Sequence, residues 1–198
     1  MPKVRVVLSC VAILMLVMSS PASSHSSVVN DPVGDLATQT PAVPAFYDIV
    51  KAKVHATGDE SDIHDWIVFS MTVAEPIPQL SSTTFLALNW LLDTNEDGVL
   101  DYNVLVRWCT RTPALTTHPR CQEGPAHWEA TVNDFSTRPL PFFTTFTVEG
   151  DTITLRLRPD ALAGTREFAW FAASRNIAAQ SGPAVDVGPD VGFMLFRR

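Results

Sequence analysis

An all-β fold, an antiparallel β-sandwich or jelly roll forming one domain after a signal peptide, is what this sequence predicts. Three observations predict it. Apolar residues recur with period two in short runs, no long 3.6-residue apolar period follows residue 24, and clusters of Gly, Pro, Asp, Asn and Ser separate the runs. Alternation gives each strand one side for a core and one for water. About eight or nine such strands in one domain suit two packed sheets.

The runs begin at Phe46. In the first, Val50, Val54 and Ala56 share one face, and Lys51, Lys53 and His55 the other. Trp66–Val73 carries Ile67, Phe69, Met71 and Val73 in phase. Thr84–Leu92 carries Leu86, Leu88, Trp90 and Leu92, and Tyr102–Cys109 carries Tyr102, Val104, Val106 and Trp108. His127–Val132, Phe142–Val148, Thr152–Arg158, Glu167–Ser174 and Gly192–Phe196 complete the set. Glu149-Gly150-Asp151 reads as a hairpin turn. Pro159–Gly164, proline first and glycine last, reads as a helical turn. Residues 25–45 have little apolar pattern and read as an extended lead-in to a domain spanning 46–198.

The third and fourth runs predict a hairpin register. Leu92 opposite Tyr102 sets Trp90 opposite Val104, Leu88 opposite Val106 and Leu86 opposite Trp108, so one face is wholly apolar. A slip of one residue would bring Asn89, Asn103 and Arg107 into it. The opposite face, with Asn89, Leu91, Asn103, Leu105 and Arg107, is expected to be partly solvated or part of a ligand surface. Trp66, Trp90, Trp108 and Trp170 are expected in the core, and Trp128 is the best candidate for an exposed ring.

The first 24 residues have the order of a secretory signal: Lys3 and Arg5, an apolar run from Val6 to Met18, then small residues through Ser24. The run, about 13 residues, is shorter than the roughly 20 needed to span a bilayer. A secreted protein is therefore expected, extracellular or at the cell surface, with cleavage after Ala22 or Ser24. Cleavage removes two basic residues and no acids from a net charge of −7, leaving −9. Such a charge disfavours nucleic acid and anionic membrane and favours a divalent cation. Cys10 leaves with the signal. Cys109 and Cys121 then form an even pair, and an exported chain favours a disulfide between them.

One motif carries chemistry. In Asp93-Thr94-Asn95-Glu96-Asp97-Gly98-Val99-Leu100-Asp101, side-chain oxygens stand at positions one, three, five and nine, with glycine at six. Calcium takes six to eight oxygens at about 2.3–2.6 Å, and alternate residues of a tight loop can aim oxygens at one centre. Asp93, Asn95, Asp97 and Asp101 would ligate by side chain, and Val99 by its carbonyl. The bland alternative is a solvated hairpin turn at Asp97-Gly98. The run resembles the first nine positions of an EF-hand loop and the DxNxDG calcium loops of dockerins and thrombospondin type 3 repeats. It departs at position twelve, Val104, where the EF-hand has a bidentate glutamate. Its flanks alternate with period two, so the loop is expected between strands.

Asp31, Asp35, Asp48, Asp186 and Asp190 stand near the first and last strands. They are either turn-capping aspartates or a second metal site. The DPVGD, LDTNEDGVLDY, PDALAG and VDVGPDVG segments together resemble exported bacterial sandwich modules of the carbohydrate-binding and DOMON-like kind. That resemblance implies a binding or accessory protein, with carbohydrate or an extracellular surface as its partner. There is no G-x-S-x-G, no H-E-x-x-H and no phosphate loop. A hydrolase with an unrecognised groove and a purely structural exported protein remain as alternatives.

Overall fold

The computed structural model describes residues 25–36, 43–58, 65–80, 86–109, 125–135, 142–143, 145–176, 185–190 and 192–197. The expected signal peptide and Cys121 lie outside the described residues. The chain is all-β, with two antiparallel sheets packed face to face. In chain order the strands are β1 Ser26–Asn30, β2 Ile49–Thr57, β3 Trp66–Val73, β4 Ala87–Asp93, β5 Tyr102–Cys109, β6 His127–Asp134, β7 Phe142–Phe143, β8 Thr145–Glu149, β9 Thr152–Leu157, β10 Phe168–Arg175, β11 Asp186–Gly188 and β12 Met194–Phe196. One sheet runs β1-β2-β3-β9-β8. The other runs β11-β10-β4-β5-β6-β7, and β12 pairs with β10. Single 3-10 turns at Ala45–Tyr47 and Pro159–Leu162 are the helical pieces among the described residues.

The β4–β5 hairpin has the register that the apolar pattern predicts. Leu92 faces Tyr102, Trp90 faces Val104 and Leu88 faces Val106, while Trp108 N–H donates to Leu86 O at 2.8 Å. Trp90 and Trp170 are completely buried, and Phe69 meets the edge of Trp90 with centroids 5.7 Å apart. Trp170 Nε1 donates to Ser27 Oγ at 3.1 Å, tying the second sheet to β1.

Several local expectations change. The lead-in contributes β1, which pairs with β2 from Ser26 opposite His55 to Asn30 opposite Lys51. A bulge between Ile49 and Lys51 turns Ile49 into the core and leaves Val50 half-buried. The Phe142–Val148 run divides: β7 pairs with β6 in one sheet, β8 with β9 in the other. Trp66 is half-buried at an outward position of β3. Trp128 is not an exposed ring; it packs edge-on against Trp108 at 5.5 Å beside the core.

The face of β4 and β5 expected to be partly solvated is largely buried, including Asn89, Leu91, Leu105 and Arg107. Most of its polar groups are bonded, although Asn103 Oδ1 is buried without a partner. Asn89 Nδ2 donates to Ala173 O at 3.2 Å, and Arg107 donates from Nε (3.0 Å) and Nη2 (2.7 Å) to Glu129 Oε2. Cys109, fully buried at the end of β5, sets Sγ 3.2 Å from the same oxygen.

Candidate metal centre

Five aspartates meet where β1 and β2 of one sheet approach β11 of the other. Asp31 directly follows β1, its N–H donating to Val50 O at 3.1 Å and extending the β1–β2 ladder. The Asp31-Pro-Val-Gly-Asp35 turn then folds back. Gly34, with φ +89, takes a conformation costly for other residues and donates its N–H to Asp48 Oδ2 at 2.8 Å. Asp48 immediately precedes β2, and Asp186 opens β11. Asp186 crosses between the sheets, accepting from Ile49 N–H with one oxygen and from Val187 N–H with the other. Gly188 lies against Asp31, and a Cβ there would stand 3.3 Å from its Cγ.

The carboxylates converge in two groups. One oxygen each from Asp31, Asp35 and Asp190 lies within 4.8 Å of the others, and the same holds for Asp35, Asp48 and Asp186. Two ligands on opposite sides of a calcium ion stand about 4.8 Å apart, twice a bond of about 2.4 Å. The spacing therefore fits a shared cation, and Asp35, common to both groups, has two oxygens to divide between neighbouring ions. An all-oxygen donor set selects a hard cation such as calcium or magnesium over zinc or copper.

Protein donors compensate the cluster only in part. Asp31 and Asp48 are more than nine-tenths buried, yet Asp31 Oδ2 and Asp48 Oδ1 have no hydrogen-bond partner, nor has either oxygen of Asp35. Among the described residues none of the five forms an ion pair. Buried carboxylate oxygens without donors are costly unless a cation or proton takes the place of the missing partner. Burial, reinforced by the charges of Asp186, Asp35, Asp190 and Asp48, pushes Asp31 up to about 7. Burial likewise lifts Asp186 to about 6 against the hydrogen bonds from Ile49 and Val187. Asp48 is raised chiefly by burial.

These shifts predict a pH dependence for cation-free protein. The folded state keeps protons on Asp31 and Asp186 that the unfolded chain releases near pH 4. Their contribution to stability is complete below that pH and disappears as pH rises through about 6 and 7. Melting of chelator-stripped protein should fall steadily from pH 5 to pH 8, and saturating calcium should flatten the decline. A melting temperature that climbs over this range without metal would contradict the assignment.

The Asp93–Asp101 loop lies between β4 and β5, as its flanks predict. Its oxygens are engaged with its own backbone. Asp93, 2% exposed, accepts from Asn95 and Asp97 N–H (3.3 Å each) at Oδ1 and from Gly98 N–H (2.8 Å) at Oδ2. Asn95 Oδ1 accepts from Asp97 N–H at 3.0 Å, and Asp97 Oδ1 from Val99 N–H at 2.8 Å. Asp101 Oδ2 accepts from Thr94 N–H (2.7 Å) and Oγ1 (2.6 Å). Each carboxylate offers about four acceptor sites, so these bonds leave lone pairs for a cation. The carboxylates that converge within 4.8 Å among the described residues are nevertheless those of the five-aspartate cluster.

No family model, no curated protein and no solved structure matches this chain.

Proposed function

We propose that this chain is an exported β-sandwich module stabilised by calcium, working outside the cell in binding or as an accessory to other proteins. The observation that carries this reading is the five-aspartate cluster, with its buried, unpartnered oxygens at the junction of the two sheets. Calcium supplies the missing charge, and its tolerance of irregular oxygen shells suits ligands drawn from separate segments. The Asp93, Asn95, Asp97, Val99 and Asp101 loop is a second calcium position in this reading. Extracellular fluid supplies the cation, consistent with the leader at residues 1–24. Calorimetric titration of chelator-stripped protein with calcium tests the proposal. Saturable binding is expected, and Asp31→Asn and Asp48→Asn should abolish the cluster's share. No heat above dilution at millimolar calcium would overturn it.

The same reading includes a Cys109–Cys121 bridge. The loop it would close is about a dozen residues, for which chain entropy assigns about 3 kcal/mol. Mass spectrometry of exported, non-reduced protein should find a mature N-terminus at Ser23 or His25 and the two cysteine peptides joined. Intact Met1 would exclude processing, and two alkylatable thiols would exclude the bridge.

A further inference from the structure

Among the described residues, the outward side of the β1-β2-β3-β9-β8 sheet gathers cations in a chain whose net charge is negative. Beyond residue 24 the sequence has two lysines, Lys51 and Lys53, and both project from this side of β2. Register extends the pattern across the sheet. His55 pairs with Val68 and Val68 with Arg156, forming one row. In the next row Lys53 pairs with Ser70, and Ser70 with Thr154. Same-face rows are separated by about 7 Å and neighbouring strands by about 4.8 Å. The cations therefore spread over a flat field interleaved with hydroxyls. In the third row Lys51 pairs with Thr72, Thr72 with Thr152 and Thr152 with Glu149, the one carboxylate among the described residues of the three rows.

Three further features fit this field to a ligand. The His55 ring is held below its ordinary value first by burial and then by the positive charges of Lys53 and Arg156, so the local potential is positive. A groove of about 430 Å³ runs along β8 and β9, lined by Thr147, Thr154 and Arg156 and also by the carboxylate of Glu149. Trp66, half-buried on β3, lies at the margin of the same side.

We infer that this sheet face binds an anionic polysaccharide, with Lys51, Lys53 and Arg156 meeting its acidic groups and Ser70, Thr154 and Thr147 its hydroxyls. Charge complementarity favours this occupant. Duplex DNA carries a charge every 1.7 Å or so, and a net −9 body opposes a polymer or membrane of such density. A polysaccharide chain has sparser charge and many hydroxyls, and the Trp66 indole offers a ring edge to a sugar. The inference rests on the chain's working outside the cell, but not on calcium.

The test uses purified exported protein with hyaluronan, which carries one carboxylate per disaccharide, as probe and neutral dextran as its uncharged comparison. Duplex DNA and phosphatidylglycerol vesicles are the competing polyanions. Hyaluronan should bind saturably and weaken with added salt, while dextran and the two competitors bind far less. Lys53→Glu and Arg156→Glu should each weaken binding roughly fivefold, and together roughly twenty-fivefold, with unchanged melting. Arg197→Glu, just after β12 and paired with Glu96 of the β4–β5 loop, should bind like the parent. Calcium binding, followed on the same samples, should persist in every variant, so failure here is distinct from failure of the metal reading. No binding, equal binding of dextran, equally tight DNA or vesicles, or charge-reversal variants that bind like the parent would overturn the inference.

Discussion

Removing calcium should lower the melting temperature by roughly 5–11 °C. A ligand held by the folded state alone stabilises it by RT ln(1 + [L]/Kd), about 2.7 kcal/mol at a hundredfold excess over Kd, and a chain of this size moves about 2–4 °C per kcal/mol. Asp48→Asn preserves shape and removes one charge. With calcium it should lose most of the gain; without calcium it should be neutral or stabilising, because the remaining aspartates repel one another less. The loop variants separate the two positions. Asp97→Ala should matter chiefly with calcium. Asp93→Ala removes the acceptor of Asn95 and Gly98 N–H, while Asp97 N–H keeps Asn95 Oδ1, and should cost about 1–3 kcal/mol even without metal. Magnesium should replace calcium poorly, since it demands a tighter octahedron. If chelation leaves melting unchanged and Asp48→Asn melts like the parent in calcium, the cluster holds no structural cation.

Glu129→Ala should be the most destabilising single substitution outside the apolar core, at about 3–5 kcal/mol. Arg107 and Glu129 face each other across β5 and β6, with side chains only 7% and 6% exposed. Truncating the carboxylate removes the acceptor of two bonds from a buried guanidinium. The double change Arg107→Met with Glu129→Leu should recover most of the loss, because removing both charges also removes their desolvation cost. Thermal denaturation of the three variants decides this. A Glu129→Ala protein melting within about 2 °C of the parent would show that the pair contributes little.

The sequence made the central hairpin legible because Leu88, Trp90, Val104 and Val106 alternate without interruption, and any slip would bury polar side chains. It concealed β1 and β11 because Ser26–Asn30 and Asp186–Gly188 are too short to establish a period; pairing with longer neighbours makes them strands. It concealed the burial of Arg107 for another reason. Alternation shows which residues share a face, but says nothing about whether that face is covered. The loop at Asp93 was conspicuous because its oxygens are consecutive in sequence. Asp31, Asp35, Asp48, Asp186 and Asp190 left turn capping and a second metal site both open, since sheet topology, not local spacing, brings them together. Trp66 and Trp128 exchanged their expected roles for a similar reason: an aromatic ring in an apolar run takes the side its strand register gives it.

The hydrogen bond from Ile49 to Asp186 joins positions 137 residues apart. The carboxylate cluster therefore cannot exist in a nascent chain: Asp31 and Asp48 emerge long before β11 is available to meet them. Such distant partners form late, because closure of the intervening chain must precede any gain from contact. A cation captured there cannot guide the early folding steps. Its influence falls on the reverse path, where contacts absent from the transition state slow unfolding while leaving the folding rate almost unchanged. In the exported module proposed above, out of reach of chaperones, the cluster would act as a latch on lifetime, closing only after synthesis is complete.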